Sequence, residues 1–149
     1  MAVIDIAREV VVTAAPDDAV ADVARAMHAE TVGCVVVVEG DRPVGLVTDR
    51  NLAMAVLDET FDAETTPIAE FLPPESVTVD ADAGVYELVE LLSEKGIRRV
   101  PVVDDDELVG IVSLSDVVVL LGMELQHVAN AIRSSAPAYE RQTYSYYGQ

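Results

Sequence analysis

Apolar and polar positions follow two different periods in turn along this chain, and the same succession occurs twice. At Val20, Val23, Ala24 and Met27, and again at Val85, Leu88, Val89 and Leu92, apolar residues return at the three- and four-residue intervals of an amphipathic helix. Each stripe is followed by two β-branched runs, residues 34–38 with 44–47 and residues 100–103 with 108–112. The intervening turns, 39–43 and 104–107, are rich in Gly, Pro and Asp, so each pair reads as a hairpin. A short Val-Thr strand precedes each stripe, at residues 11–14 and 76–79, and Asp17 or Asp82 stands where a helix N-cap belongs. A second helix closes each copy, starting near Asn51 and near Asp116. The predicted unit is β-α-β-β-α, an α/β (α+β) fold. The runs are almost continuously apolar, so both sheet faces should be covered.

Shifting the sequence by 65 positions aligns residues 12–52 with 77–117 without a gap. Val12/Val77, Thr13/Thr78, Asp17/Asp82, Asp41/Asp106 and Gly45/Gly110 are among the identical pairs. The expected organisation is a first repeat over 1–60, a linker over 61–66, a second repeat with an extended helix over 67–133, and a Tyr-rich tail over 134–149. The two repeats should pack as a pseudo-twofold pair through their sheets, with clefts between them.

Composition narrows the function classes. The chain has 149 residues, a formal net charge of −18 and 51% hydrophobic residues, enough to build a core. The acidity argues against a nucleic-acid partner, which needs a basic face. No apolar run reaches the ~20 residues of a membrane span. The N-terminal stretch carries Asp5 and Glu9 and no basic region, unlike a secretory signal, so the expected location is the cytoplasm. One cysteine, Cys34, excludes an internal disulfide and a multi-cysteine zinc site. All but one of the 9 basic residues are arginine, the exception being Lys95. An acidic, lysine-poor surface suits very high salt, where self-repulsion is screened, and resembles the proteins of halophilic archaea.

The most specific stretches are Gly45-Leu46-Val47-Thr48-Asp49-Arg50-Asn51-Leu52 and Gly110-Ile111-Val112-Ser113-Leu114-Ser115-Asp116-Val117. With the Val-Thr-x-x-x-Asp openings and Gly96-Ile97-Arg98-Arg99-Val100-Pro101-Val102-Val103-Asp104, they resemble a tandem pair of CBS domains, the Bateman module. The resemblance covers about residues 3–121. It implies a stand-alone regulatory module that holds an adenosine-containing ligand in the cleft between repeats and passes ligand state to an unidentified partner.

In both closing motifs, a hydroxyl at a strand end lies three residues before a polar group at a helix start. A hydroxyl can donate to a phosphate, and a carboxylate can accept from both hydroxyls of a ribose. The resemblance implies these roles for Ser113 and Asp116. Plain helix capping is the other reading of the same residues. Arg98 and Arg99 suit phosphate because each guanidinium can bond two oxygens. Thr78, Val79, Val100 and Pro101 would hold the base. The first copy offers a weaker site at Thr13, Val35, Thr48 and Asn51, since Asn51 stands where the second copy has Asp116. No cofactor is required. The ligands to consider are AMP, ADP, ATP, S-adenosylmethionine or a dinucleotide, with Mg²⁺ only beside a polyphosphate.

The remaining candidates read as structure. Residues 104–107 form a solvated turn. His28 and His127 lack a second ligand at metal spacing. Cys34 reads as a small buried side chain. No nucleophile–base pair or metal cage can be assembled, so the chain is read as no enzyme. A homodimer is expected through the stripes 20–27 and 85–92 with Met54 and Leu57. The last helix, over about 114–133, is too long to close the second repeat alone. Tyr139, Tyr144, Tyr146 and Tyr147 in the tail suit an interface. The alternative function is a ligand-free dimerisation or docking module with vestigial pockets.

Overall fold

The computed structural model describes residues 1–136. It forms two compact units that meet in sequence at Leu114 and Ser115. The first contains two three-stranded sheets with the same order and register. In one, β1 (Thr13–Ala14) pairs in parallel with β2 (Cys34–Glu39), which pairs antiparallel with β3 (Arg42–Thr48). In the other, β4 (Val79–Asp80) pairs in parallel with β5 (Arg99–Asp104), which pairs antiparallel with β6 (Glu107–Ser113). Helices α1 (Val20–Glu30) and α3 (Val85–Lys95) cross from the first strand of each sheet to the second. After β3 comes α2 (Asp49–Ala55), and after β6 comes α4 (Leu114–Ser135). The β-α-β-β-α order predicted from the periods is the order observed.

Val35, Val36 and Val37 of β2 are all fully buried, so neighbours cover both faces of that strand, as its unbroken apolar run requires. The sheets pack together with β3 against β5 and β6. Their turns are joined by the Leu108 N–H donating to the Asp41 carbonyl at 2.8 Å and by an Arg42–Asp106 ion pair at 3.1 Å. Asp105 and Asp106 adopt φ of 48° and 67°, the left-handed region that a two-residue hairpin turn demands.

Each repeat's lead-in segment docks on the other repeat. A 3-10 turn at Val3–Asp5 gives its Val3 N–H to Ala83 O at 2.8 Å and its Ile4 N–H to Ala81 O at 3.0 Å. The matching turn at Ile68–Phe71 gives its Ile68 N–H to Asp18 O at 2.8 Å and its Ala69 N–H to Pro16 O at 3.0 Å. Val3 and Ile68 are both fully buried. This exchange explains the glycine inside each closing strand. A Cβ on Gly110 would lie 3.0 Å from Arg8 O, and one on Gly45 would lie 2.6 Å from Leu72 Cδ2. What approaches the strand there is the chain itself.

Several sequence expectations need correction. The N-caps of α1 and α3 are Ala19 and Gly84, not Asp17 and Asp82. The first turn of α1 is satisfied by backbone, with Val20 N–H on Thr66 O and Ala21 N–H on Ala63 O, so no side-chain cap is needed. In α3, Glu87 reaches back to accept from the Gly84 N–H at 3.3 Å. The stripes assigned to a dimer contact are core: Val20, Val23, Met27, Leu88 and Leu92 are buried within the chain. An amphipathic stripe has the same sequence whether it faces its own sheet or a partner. Ala24 and Val89, counted in those stripes, lie exposed, and Cys34 is half-buried instead of buried.

Candidate functional site

A cavity of about 940 Å³ lies between the two repeats. One wall is the closing motif of the first repeat, from Gly45 to Asn51, and the other is Val77 with the stretch from Lys95 to Pro101 in the second. Its volume is at the upper end of the ~300–1,000 Å³ of small-molecule sites. Local chain geometry explains the walls. Thr48 ends β3 and caps α2, its hydroxyl oxygen accepting from the Asn51 N–H at 3.3 Å. Asn51 Oδ1 in return accepts from the Thr48 N–H and hydroxyl, both at 2.9 Å. Opposite, α3 ends at Gly96 with φ 63°, a left-handed residue that turns the chain toward β5 and leaves Arg98 exposed and Arg99 half-buried.

Charge is concentrated there against the sign of the whole chain. Arg50, Lys95, Arg98 and Arg99 line the cleft with Asp49 and Glu75, so four positive charges face two negative ones in a chain of net −18. Lys95 reaches Glu75 at 3.6 Å. Arg50, Arg98 and Arg99 form no salt bridge among the described residues, although acidic side chains outnumber basic ones 27 to 9. Gly33 lies beside both Asp49 and Arg99. A Cβ at that position would lie 3.5 Å from Arg99 Nη1 and 3.3 Å from Asp49 Oδ2. Such a group of unpaired guanidiniums at the mouth of a cleft can receive a phosphate or carboxylate.

The residues singled out from the sequence are distributed unevenly. Thr48, Asn51, Arg98, Arg99 and Pro101 all line this cleft, so the arginines of the second copy meet the closing motif of the first. Thr13 lies elsewhere, in a smaller pocket of about 260 Å³ with Glu9 and Asp41. Val35 and Val100 are fully buried as whole residues, and neither lines the cleft. Val79 is buried and Thr78 half-buried. Ser113 pairs with Arg99 across the β5–β6 ladder, and Asp116 lies in the first turn of α4. Sequence reasoning missed Arg50, Lys95 and Asp49. The signal available was that the chain's one lysine directly precedes the glycine ending α3. Residues 137–149, with the four tail tyrosines, lie outside the described residues.

Among the described residues, no group of three or more His, Cys, Asp or Glu is placed to hold a metal, and no helix is long and apolar enough to cross a membrane. The turn at residues 104–107 is exposed throughout, and His28 and His127 are exposed.

Comparison with known proteins agrees with this architecture. The chain is 35% identical over 115 residues to protein MK0525 of Methanopyrus kandleri, covering 76% of this chain and 59% of that relative's length. Among solved structures it resembles the CBS domain pair of protein MJ0100 in complex with 5′-methylthioadenosine and S-adenosyl-L-methionine. That match has a TM-score of 0.73 and 25% identity over 83% of this chain and 98% of the other. It also resembles the CBS domain protein PAE2072 of Pyrobaculum aerophilum complexed with AMP, with a TM-score of 0.71 and 25% identity over 78% and 89% of the two chains. The CBS domain profile matches twice, over residues 3–58 and 68–122, and the chain is therefore a member of the CBS domain family carrying a tandem pair.

Proposed function

We propose that this chain is a non-catalytic regulatory module that binds an adenosine-containing ligand in the cleft between its repeats and transmits ligand state to a partner protein. The observation that carries this reading is the positive lining of the 940 Å³ cleft in a chain of net charge −18. The complexes named for MJ0100 and PAE2072 support the adenosine part. A 5′ phosphate or carboxylate would lie at Arg98 and Arg99, with Lys95 and Arg50 adding field. The roles that the resemblance implies for Asp116 at a ribose and Ser113 at a phosphate belong to a second position, since neither residue lines this cleft. The base would lie against Thr78, Val79 and the strand at Val100–Pro101. AMP and S-adenosylmethionine fit more easily than ATP, because the remaining acidic surface opposes a polyanion unless salt or Mg²⁺ screens it.

The reading includes a cytoplasmic setting, a surface adapted to high salt, and pairing of two copies. A thermal-shift series in molar KCl with AMP, ADP, ATP and S-adenosylmethionine tests it. A ligand at 100 times its Kd adds about 2.7 kcal/mol to stability. A shift with at least one of them is expected, and none with any would leave the second reading. That reading, a ligand-free interaction module, is favoured by one observation: Asn51 Oδ1 is already engaged in capping α2.

A further inference from the structure

The two closing motifs differ in the chemistry they offer at one position. Asn51 stands 65 residues before Asp116, and each lies in the first turn of a helix. The Thr48 N–H, 2.9 Å from the Asn51 amide, can only donate, so the atom it meets is Oδ1. The Thr48 hydroxyl gives its proton to the same oxygen at 2.9 Å. The amide is thereby oriented. Its oxygen is spent on the cap, and Nδ2, with two N–H donors, makes no hydrogen bond among the described residues. Capping does not call for an amide, because a carboxylate accepts from the same N–H and acidic side chains favour the first turn of a helix. In a chain with 27 acidic residues and only two asparagines, a neutral donor at this place needs another reason.

The surroundings of Asn51 supply it. Asn51 is exposed and lines the cleft beside Arg50 on the wall of the first repeat, while Arg98 and Arg99 stand on the wall of the second. Both carboxylates of the lining are already engaged. Asp49 Oδ1 accepts from the Arg50 N–H at 2.8 Å, Asp49 Oδ2 lies beside Arg99 at Gly33, and Glu75 faces Lys95 at 3.6 Å. A ribose diol is held by an acceptor, and no carboxylate of the lining is left for it. A phosphate is held by donors, and both walls present them. Donors on two walls fit anions at two ends of one ligand better than a single run of phosphates. We propose that the cleft selects an adenosine nucleotide bearing a second phosphate on its ribose, and that Asn51 sets this choice. The 5′ phosphate lies on Arg98 and Arg99, and the ribose phosphate, at 2′ or 3′, on Arg50 and Asn51 Nδ2. A carboxylate at residue 51 would repel that second phosphate. In molar salt the Debye length is about 3 Å, so the acidic surface is screened while contact pairs inside the cleft persist. The inference rests on the adenosine reading above and names the ligand class of the same cleft.

Calorimetry on the full chain in molar KCl tests it with AMP, adenosine 3′,5′-bisphosphate and adenosine 2′,5′-bisphosphate. In wild type at least one bisphosphate is expected to bind about 10-fold or more tighter than AMP, the worth of one hydrogen bond to a charged group. Asn51→Asp keeps an acceptor for the Thr48 N–H, so α2 stays capped, and replaces the free donor by a charge that repels phosphate. It is expected to cut the preference to about twofold or less. Leu57→Asp adds the same charge at a site 76% exposed that does not line the cleft, and should leave the preference intact. The proposal is overturned if AMP binds wild type as tightly as both bisphosphates, or if Asn51→Asp retains the preference. It is equally overturned if Leu57→Asp abolishes the preference to the same extent, or if Asn51→Asp loses AMP together with the bisphosphates. In all of these AMP still binds wild type, so the adenosine reading stands. If none of the three ligands binds wild type, the adenosine reading falls and the proposal falls with it.

Discussion

The two repeats are the same scaffold carrying different tips. Cys34↔Thr48 in the first ladder corresponds to Arg99↔Ser113 in the second, and Glu39↔Arg42 to Asp104↔Glu107, each at the same 65-residue offset. The irregularity between Val37 and Val38 recurs between Val102 and Val103. The differences cluster where strands leave the sheet. Gly33 and Cys34 stand against Arg98 and Arg99, Asn51 against Asp116, and Thr31 against Gly96. Pairing within the sheets tolerates little change, because a one-residue slip would move every side chain to the opposite face of the sheet. Residues at strand ends are free of that constraint. The first repeat lines the cleft with Thr48, Asp49, Arg50 and Asn51, and the second with Lys95, Arg98 and Arg99.

The reciprocal lead-in segments give the largest test of that equivalence. Ile68 is fully buried in the core of the first repeat with Val20, Val23 and Val47. Ile68→Ala is expected to cost about 2–4 kcal/mol by the cavity it leaves. Val3→Ala, the counterpart in the second repeat, should cost less because fewer methyl groups are removed. Chemical denaturation in molar salt measures both. A loss below about 0.5 kcal/mol at Ile68 would mean that the segment does not dock as described.

The next test concerns the tips. Arg99→Ala and Asp116→Ala are each expected to weaken nucleotide binding by roughly 1.5–3 kcal/mol, the worth of hydrogen bonds to a charged group. Asn51→Ala should leave affinity nearly unchanged and instead cost about 0.5–1 kcal/mol of stability, since its carbonyl caps α2. Calorimetry on the three variants separates the two walls. A larger affinity loss at Asn51 than at Asp116 would assign the working pocket to the first repeat.

These tips also mark where the sequence was legible. The hairpins were readable because β-branched runs and turn residues are local signals, and the repeat fixed their register. The cross-docking of residues 3–8 and 67–72 was not, because backbone hydrogen bonds leave no side-chain signature beyond Gly45 and Gly110. The caps were misread for a related reason. Asp17 and Asp82 have the right chemistry two residues too early, while carbonyls from residues 63 and 66 supply α1 from far along the chain. The cleft was half legible: Arg98 and Arg99 could be named, but not Arg50, nor that the pair faces Thr48.

A smaller effect is expected at the ends of α1 and α3. Both helices stop on a left-handed residue, Thr31 at φ 55° and Gly96 at φ 63°. Glycine adopts that conformation freely, whereas a β-branched residue is strained there. Thr31→Gly should therefore stabilise the fold by up to about 1 kcal/mol, and Gly96→Ala should destabilise it by a similar amount. Opposite signs in thermal denaturation would support the equivalence of the two termini. A destabilising Thr31→Gly would show that the Thr31 side chain has a packing role that outweighs its backbone strain.

The finest difference lies after the second helix, where the first repeat turns into a loop at Asp58 and the second continues as α4. The Asp58 carboxylate accepts from the Thr60 hydroxyl at 2.7 Å and from the Thr60 N–H at 2.9 Å. Both bonds favour the ionised form, and they hold the Asp58 carboxyl below its usual value of 3.8. The sign follows from linkage. A carboxyl depressed in the folded state contributes stability above its unfolded pKa, and that contribution is lost as pH falls through the folded pKa. The group is exposed, so the effect is local to the turn and weakened by salt. In Thr60→Val the hydroxyl bond is removed while the backbone bond can remain. NMR titration should then show the Asp58 carboxyl moving up toward its ordinary value, without reaching it, while the other carboxylates titrate as before. An unchanged Asp58 titration would show that the hydroxyl does not hold the carboxylate in solution, and that the turn is organised by backbone alone.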